Sequence, residues 1–199
     1  MNKTFLAVNI PASFREKVYS IQGNFSHVDG LLPQPNSHIT VRFLGETPDT
    51  TAVEEAARPV ISGVAPFKIR LRGLAFDEWT LHVTVAEGRE EFTDLNRRVN
   101  DSLLHSLGRE PNKTYVPHMT LYRRALGQDS LGLGEIVERH DDFELGEFVV
   151  SGVSYYESVM RDGPSLYRKI ADLPLGEQAR ETGPPEAKGR DSAEPRQTI

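Results

Sequence analysis

Ser37-His38-Ile39-Thr40-Val41-Arg42-Phe43-Leu44-Gly45-Glu46 and Pro117-His118-Met119-Thr120-Leu121-Tyr122-Arg123 carry one pattern twice. The second His-x-Thr begins 80 residues after the first (118 − 38). Alternating apolar residues predict strands at His38–Leu44, ended by Gly45, and at His118–Arg123 after Pro117. Side chains two apart on a strand share a face. His38 and Thr40 therefore project together, as do His118 and Thr120. Ile39 and Val41, like Met119 and Leu121, face the other way and can anchor each strand in a core. Each stretch comes after a helix candidate and a polar or proline-bearing loop, so the chain holds one long, weak repeat.

On either side of these stretches the pattern continues. Thr4–Ile10 reads as a strand. Ala12–Phe25 reads as a helix, with Phe14, Val18, Ile21 and Phe25 at helical spacing. Asp29–Ser37, with Gly30, Pro33 and Pro35, is a loop. Thr50–Gly63 is a helix candidate interrupted by Pro59, which removes a donor. Phe67–Phe76 and Trp79–Ala86 form a hairpin turning at Asp77 and Glu78. Glu91–Leu107 is an amphipathic helix ended by Gly108. A helical stretch is expected around Ser130–His140, and strands at Phe143–Glu157 and Leu166–Leu173. Hairpins mixed with strand–helix–strand units give an α+β fold. The body spans residues 1–175. Residues 176–199 hold three prolines, no aromatic and one large aliphatic, Ile199. They cannot bury enough apolar surface to offset ordering entropy, so they are expected to be a disordered tail.

Composition narrows the chemistry. The chain has 199 residues, 38% of them apolar and 26% charged, as in globular domains. No apolar run nears the ~20 residues that span a bilayer. The run Phe5–Ile10, ended by Pro11, is too short for a signal-peptide core. A cytoplasmic, monomeric protein without a membrane partner is expected. With no cysteine, disulfides, thiol nucleophiles and Cys-based zinc sites are excluded. The net charge of −6 does not suit a protein that coats long nucleic acid. It leaves room for a nucleotide end or a small phosphate ester.

Two histidine–threonine pairs across a cleft suit phosphodiester chemistry without a metal or cofactor. Histidine has an ordinary pKa near ~6.5, so one ring can be neutral while another is protonated. The neutral ring takes a proton from the attacking oxygen and the protonated ring gives one to the leaving oxygen. Threonine hydroxyls can donate to non-bridging phosphoryl oxygens. Arg42 after the first motif, and Arg123 and Arg124 after the second, could add a fixed fork of donors. His-x-Thr alone is a weak signal, and His82-Val83-Thr84 is a third copy. It lacks the helix–loop–strand context, and Glu87 and Glu90 rather than arginine come after it. His82 is therefore expected to be a partly exposed strand residue outside the site. His27, His105 and His140 lack a hydroxyl two residues on, and no spacing supports a three-histidine zinc site.

The two motifs resemble those of the 2H phosphoesterases, and of these the branch of RNA 2′,3′-cyclic phosphodiesterases, also called 2′-5′ RNA ligases. Phe5-Leu6-Ala7-Val8-Asn9-Ile10-Pro11 is similar to that family's first strand. Tyr156-Glu157-Ser158, with Gly163 and Tyr167-Arg168, resembles its last hairpin. The resemblance spans residues 4–175. It implies a bilobal fold of two antiparallel-rich sheets related by a pseudo-twofold axis around a cleft, with helices outside. It implies metal-free opening of RNA or nucleoside 2′,3′-cyclic phosphate ends to 2′-phosphates. His38 and His118 would be the acid–base pair, and Thr40 and Thr120 would hold the phosphate. Arg123 matches the arginine closing the second motif. A flat strand would aim it away from His118, so the strand must end or bulge near Leu121; Arg42 and Arg124 have the better parity. Gly30-Leu31-Leu32-Pro33 stands where the family often has an arginine and an aromatic, which leaves Tyr115 and Tyr122 as stacking candidates. RNA end joining by the reverse reaction would use the same residues. A non-catalytic module binding nucleotide ends is a third reading, but it would not need histidine and threonine intact in both motifs.

Overall fold

The computed structural model describes residues 3–47, 49–111, 114–125, 133–159 and 166–176. In chain order these form β1 (Lys3–Asn9), a 3-10 turn (Ala12–Phe14) running into α1 (Arg15–Asn24), β2 (Leu31–Pro33) and β3 (His38–Glu46). Next come α2 (Thr50–Ser62), β4 (Phe67–Phe76), β5 (Thr80–Glu87), α3 (Arg89–Leu107) and β6 (His118–Arg124). The chain continues through α4 (Leu133–Glu138), β7 (Glu144–Val150), β8 (Gly152–Val159) and β9 (Leu166–Pro174). Asp49 caps α2 by accepting from the Ala52 N–H at 2.9 Å. Pro59 is tolerated inside α2 because it and Glu55 lie on the exposed side, where water can satisfy the freed carbonyl. Gly108 ends α3 at φ 63°, a left-handed conformation that glycine adopts without Cβ strain. No helix among the described residues is long and apolar enough to cross a membrane.

The α+β class holds, but the strands make one curled antiparallel sheet rather than two. Its order is β7-β4-β5-β6-β3-β1-β8-β9, with β2 against β6. The two motif strands are neighbours at its centre, with Ile39 opposite Met119, and this pairing joins the halves. Two further readings are corrected. The Asp29–Ser37 loop contains β2, whose Pro33 is accommodated on a three-residue strand. Phe143–Glu157 is two strands, because the chain breaks at Ser151 and β7 joins β4 while β8 joins β1. Apolar alternation continues across that break and so hides it. The tail reading lies outside the described residues except at Gly176, whose N–H donates to Val64 O at 2.9 Å.

One face of the sheet is apolar. Ile39, Val41, Met119, Leu121 and Val83 are fully buried there, in one core with Val18 and Ile21 of α1 and Phe25 just after it, Val53, Ala57 and Ile61 of α2, and Phe92, Leu95 and Val99 of α3. The opposite face carries the histidines and threonines.

Both motif strands contain a bulge at the residue after the threonine. On β3, Ala7 pairs with Thr40 and Leu6 with Arg42, leaving Val41 extra. On β6, His82 pairs with Thr120 and Leu81 with Tyr122, leaving Leu121 extra. A bulge reverses the alternation beyond it. Two consecutive residues, Val41-Arg42 and Leu121-Tyr122, are therefore buried, and Phe43 and Arg123 emerge on the exposed side. Each bulged carbonyl accepts from a buried amide. Asn96 Nδ2 of α3 reaches Val41 O at 2.6 Å. Gln22 Nε2 of α1 reaches Leu121 O at 2.9 Å, and Gln34 N–H meets the same oxygen at 2.9 Å.

Asn96→Leu removes the donor to Val41 O while keeping a similar volume. Loss of a buried partner costs about 1–3 kcal/mol. The urea midpoint of the variant is expected to fall accordingly, and a midpoint equal to that of the native chain would show that the bulge needs no clasp.

Candidate active site

His38 and Thr40 from β3 and His118 and Thr120 from β6 stand on one face of the sheet, on antiparallel strands joined at Ile39 and Met119. The site therefore brings together all four of the histidines and threonines expected from the sequence. The backbone orients both rings in the same way. His38 Nδ1 lies 2.8 Å from Asn36 O, and His118 Nδ1 lies 2.8 Å from Val116 O. A carbonyl oxygen only accepts, so each Nδ1 carries the hydrogen. Each Nε2 is then the nitrogen free to take up or give a proton.

The surroundings of the two rings differ. His38 packs against Phe5 at 5.0 Å between centroids and against the edge of Tyr167 at 5.4 Å. Its pKa is pushed below the ordinary histidine value, first by burial and further by the charges of Arg123 and His118; the Asn36 carbonyl opposes them. Burial thus favours the neutral form of His38.

The arginines separate on geometry. Arg123 is exposed, borders the same cleft as His118, and donates from Nε to Gln34 Oε1 at 3.3 Å. The bulge at Leu121 supplies the reversal that its parity demanded. Arg42 does not join the site. The matching bulge at Val41 turns it to the other face, where it is 4% exposed and its guanidinium bonds Glu110 O. Arg124 is fixed through its backbone, pairing with Leu31 and donating to Trp79 O. Tyr122 is also in the core, donating its hydroxyl to Gln22 O. Tyr115 borders the cleft and donates to Thr40 O at 3.0 Å. Phe43, which sequence reasoning missed, lines the cleft at the position on β3 that Arg123 holds on β6. Superposing the two motifs residue by residue would have revealed it.

His82 is where the structure departs most from expectation. The hairpin strand β5 is interior, between β4 and β6, so its alternation puts His82 on the cleft face. It is 7% exposed and its ring lies 4.5 Å from that of His118. Its Nδ1 is 3.0 Å from Thr80 Oγ1 and 3.8 Å from the Asp77 carboxylate. Burial and the charge of His118 push its pKa down; Asp77 and Thr80 pull the other way. Burial alone would raise the Asp77 pKa, but the N–H groups of Trp79 and Thr80 and the Thr80 hydroxyl hold it below the ordinary value.

The cleft holding Thr40, Phe43, His82, Tyr115, His118 and Arg123 encloses about 750 Å³. On the far side of His38 lies a smaller hollow of about 300 Å³, bordered by Arg15, Tyr19, Tyr156 and Tyr167. Among the described residues no group of three or more histidine, aspartate or glutamate side chains is arranged to hold a metal ion.

Known proteins resemble this chain in sequence and fold. The profile of the 2′-5′ RNA ligase superfamily matches residues 10–159. A relative from Methanocaldococcus jannaschii named RNA 2′,3′-cyclic phosphodiesterase is 26% identical over 175 residues, covering 85% of this chain and 99% of its own. One of the same name from Aeropyrum pernix is 31% identical over 155 residues, 73% of this chain and 85% of its own. Among solved structures, one from Thermus thermophilus superposes with a TM-score of 0.73 at 24% identity, over 88% of this chain and 99% of its own. E. coli LigT complexed with 3′-AMP gives 0.69 at 18%, over 87% and 98%. The chain belongs to the 2′-5′ RNA ligase superfamily.

Two histidines with lowered pKa values give a stability signature. Below the unfolded value of ~6.5 the unfolded chain binds their protons before the folded one does, so stability falls as pH falls. The urea midpoint is expected to drop from pH 7 to pH 5, and to drop less in His82→Phe, which removes one of the two groups. An equal drop in both proteins would show that His82 contributes nothing to it.

Proposed function

We propose that the chain hydrolyses the 2′,3′-cyclic phosphate at RNA or nucleoside ends to a 2′-phosphate, using His38 and His118 as an acid–base pair. The observation that carries this reading is the shared anchoring of the two rings. Each Nδ1–H is committed to a carbonyl two residues upstream, which leaves both Nε2 atoms for proton transfer. Relatives named RNA 2′,3′-cyclic phosphodiesterases, matched over nearly their whole length, support it.

Neutral His38 accepts a proton from water as the oxygen bonds to phosphorus. The bond from phosphorus to O3′ breaks, and protonated His118 gives its Nε2 proton to that oxygen. The products are a 2′-phosphate and a free 3′-hydroxyl. Exchange with solvent returns the proton from His38 and restores it to His118. Thr40, Thr120 and Arg123 hold the non-bridging oxygens as charge grows on them. The repeat of strand order and bulge about the β3–β6 boundary supports a pseudo-twofold reading of the site, one histidine and one threonine from each half. If a 5′-hydroxyl replaces water on the reverse path, the same groups join ends through a 2′-5′ linkage. The net charge of −6 favours gripping an end over tracking a long strand.

The test is hydrolysis of nucleoside 2′,3′-cyclic phosphates with chelator present, separating 2′- from 3′-phosphate products. Removing a general acid or base typically costs about 10²–10⁴-fold, so His38→Ala and His118→Ala should each lose that much kcat. Arg123→Met should lose activity, whereas Arg42→Met should lose stability. The pH profile of kcat/KM should be a bell, and Thr40→Val or Thr120→Val should lower it without moving it. A 3′-phosphate product, or activity restored only by a divalent metal, would overturn the mechanism.

A further inference from the structure

The third His-x-Thr copy has no part in the reaction as written, yet its histidine borders the cleft. His82 faces Thr120 across the β5–β6 ladder, and Thr84 faces His118. The His82 and His118 rings approach to 4.5 Å between centroids, tilted by 41°. Contact that close between a buried ring and a reacting one fixes the plane of the latter.

Behind His82 runs a short polar chain. The Thr80 hydroxyl lies 3.2 and 3.1 Å from the two Asp77 oxygens and 3.0 Å from His82 Nδ1. An ionised carboxylate only accepts, so Thr80 donates to Asp77 and accepts from His82 Nδ1–H. Asp77 is itself fixed at the β4–β5 turn by the N–H groups of Trp79, at 2.8 Å, and Thr80, at 2.7 Å. Every hydrogen in the chain Asp77–Thr80–His82 therefore has an assigned direction, and the free Nε2 of His82 is turned away from it. The charged and titratable groups around His82 are Asp77 from the turn, His118 and Arg123 from β6, and Tyr115 from the segment before β6; β4 presents Ala75 and Phe76.

We propose that His82, backed by Thr80 and Asp77, is a positioning residue for His118: its ring packs on the His118 imidazole, holds that ring's Nε2 over the phosphate, and links its charge to the Asp77 carboxylate. His118 is tied by one hydrogen bond at Nδ1, which leaves the ring free to swing about that contact. The His82 face removes that freedom. This inference rests on the cyclic phosphodiesterase reading for its catalytic consequence, but the link between the two rings stands apart from it.

The experiment has two readouts on the full chain. By NMR titration of the histidine rings, His82 should titrate below the ordinary histidine value. It should move up in His118→Phe, which removes a cationic neighbour, and down in Asp77→Asn, which removes the counter-charge. In kinetics with a nucleoside 2′,3′-cyclic phosphate, His82→Ala should lower kcat by about 100-fold, the cost of a loosened reacting group, with KM little changed. His82→Phe restores a ring of similar shape and should recover most of that loss. A His82 titration that ignores His118→Phe overturns the proposal. So does a native kcat in His82→Ala, or a phenylalanine variant no better than alanine. If the native chain itself leaves cyclic phosphates intact, the phosphodiesterase reading fails, and the titration still decides whether His82 and His118 are linked.

Discussion

The carbonyls of Val41 and Leu121 must be turned out of the regular ladder and still find partners, and the rest of the site depends on how this is done. A bulged carbonyl buried without a donor would cost much of a domain's net stability. The partners come crosswise. α1 leaves the strand beside β3 and clasps β6 through Gln22, while α3 leaves the strand beside β6 and clasps β3 through Asn96. With the bulges in place, Arg123 reaches the cleft and Phe43 borders it, while Arg42 and Tyr122 fill the core. Flattening β3 would exchange Phe43 for Arg42 at the cleft, and flattening β6 would exchange Arg123 for Tyr122.

The two motifs share backbone geometry but not environment. Both rings are set by a carbonyl two residues upstream. His38 then sits among Phe5 and Tyr167, which disfavours its charged form. His118 instead sits beside His82, with the Asp77 carboxylate one hydroxyl further back. A hydrogen-bonded thread on the His38 side runs from the Tyr156 hydroxyl through Asn9 and Ser154 to Asp172, with steps of 2.7 to 2.9 Å. It braces the aromatic wall against which His38 rests.

Local pattern in the sequence is enough for the strands, for the long helix ended at Gly108, and for the two histidine–threonine pairs, because strand alternation and helical spacing are written within ten or twenty residues. What it hides is long-range. The alternation of an ideal strand places Arg42 beside the histidines, and a bulge clasped by Asn96, 55 residues away, cancels that alternation. Arg123 betrays its bulge, since the residue type is at odds with its parity. Along the chain, the acidic Glu87 and Glu90 argue against His82, whereas its place in the cleft comes from β6 lying beside β5. Likewise the break at Ser151 is invisible locally, because β7 and β8 find their partners on opposite halves of the sheet.

The crosswise clasp also bears on how the molecule can be divided. Lys17 of α1 bonds Leu145 O of β7, and Phe14 packs edge-on to Phe148, so α1 is lodged against the half that does not contain its own strand. Each half thus lends a helix to the other, as exchanged arms do between the subunits of a swapped dimer. Because β1 and β3 precede β4 to β7 in the chain and β8 and β9 follow them, no single cut separates the halves. Loosening either half would undo the clasp on the other half's motif strand, so the two are bound into one cooperative unit.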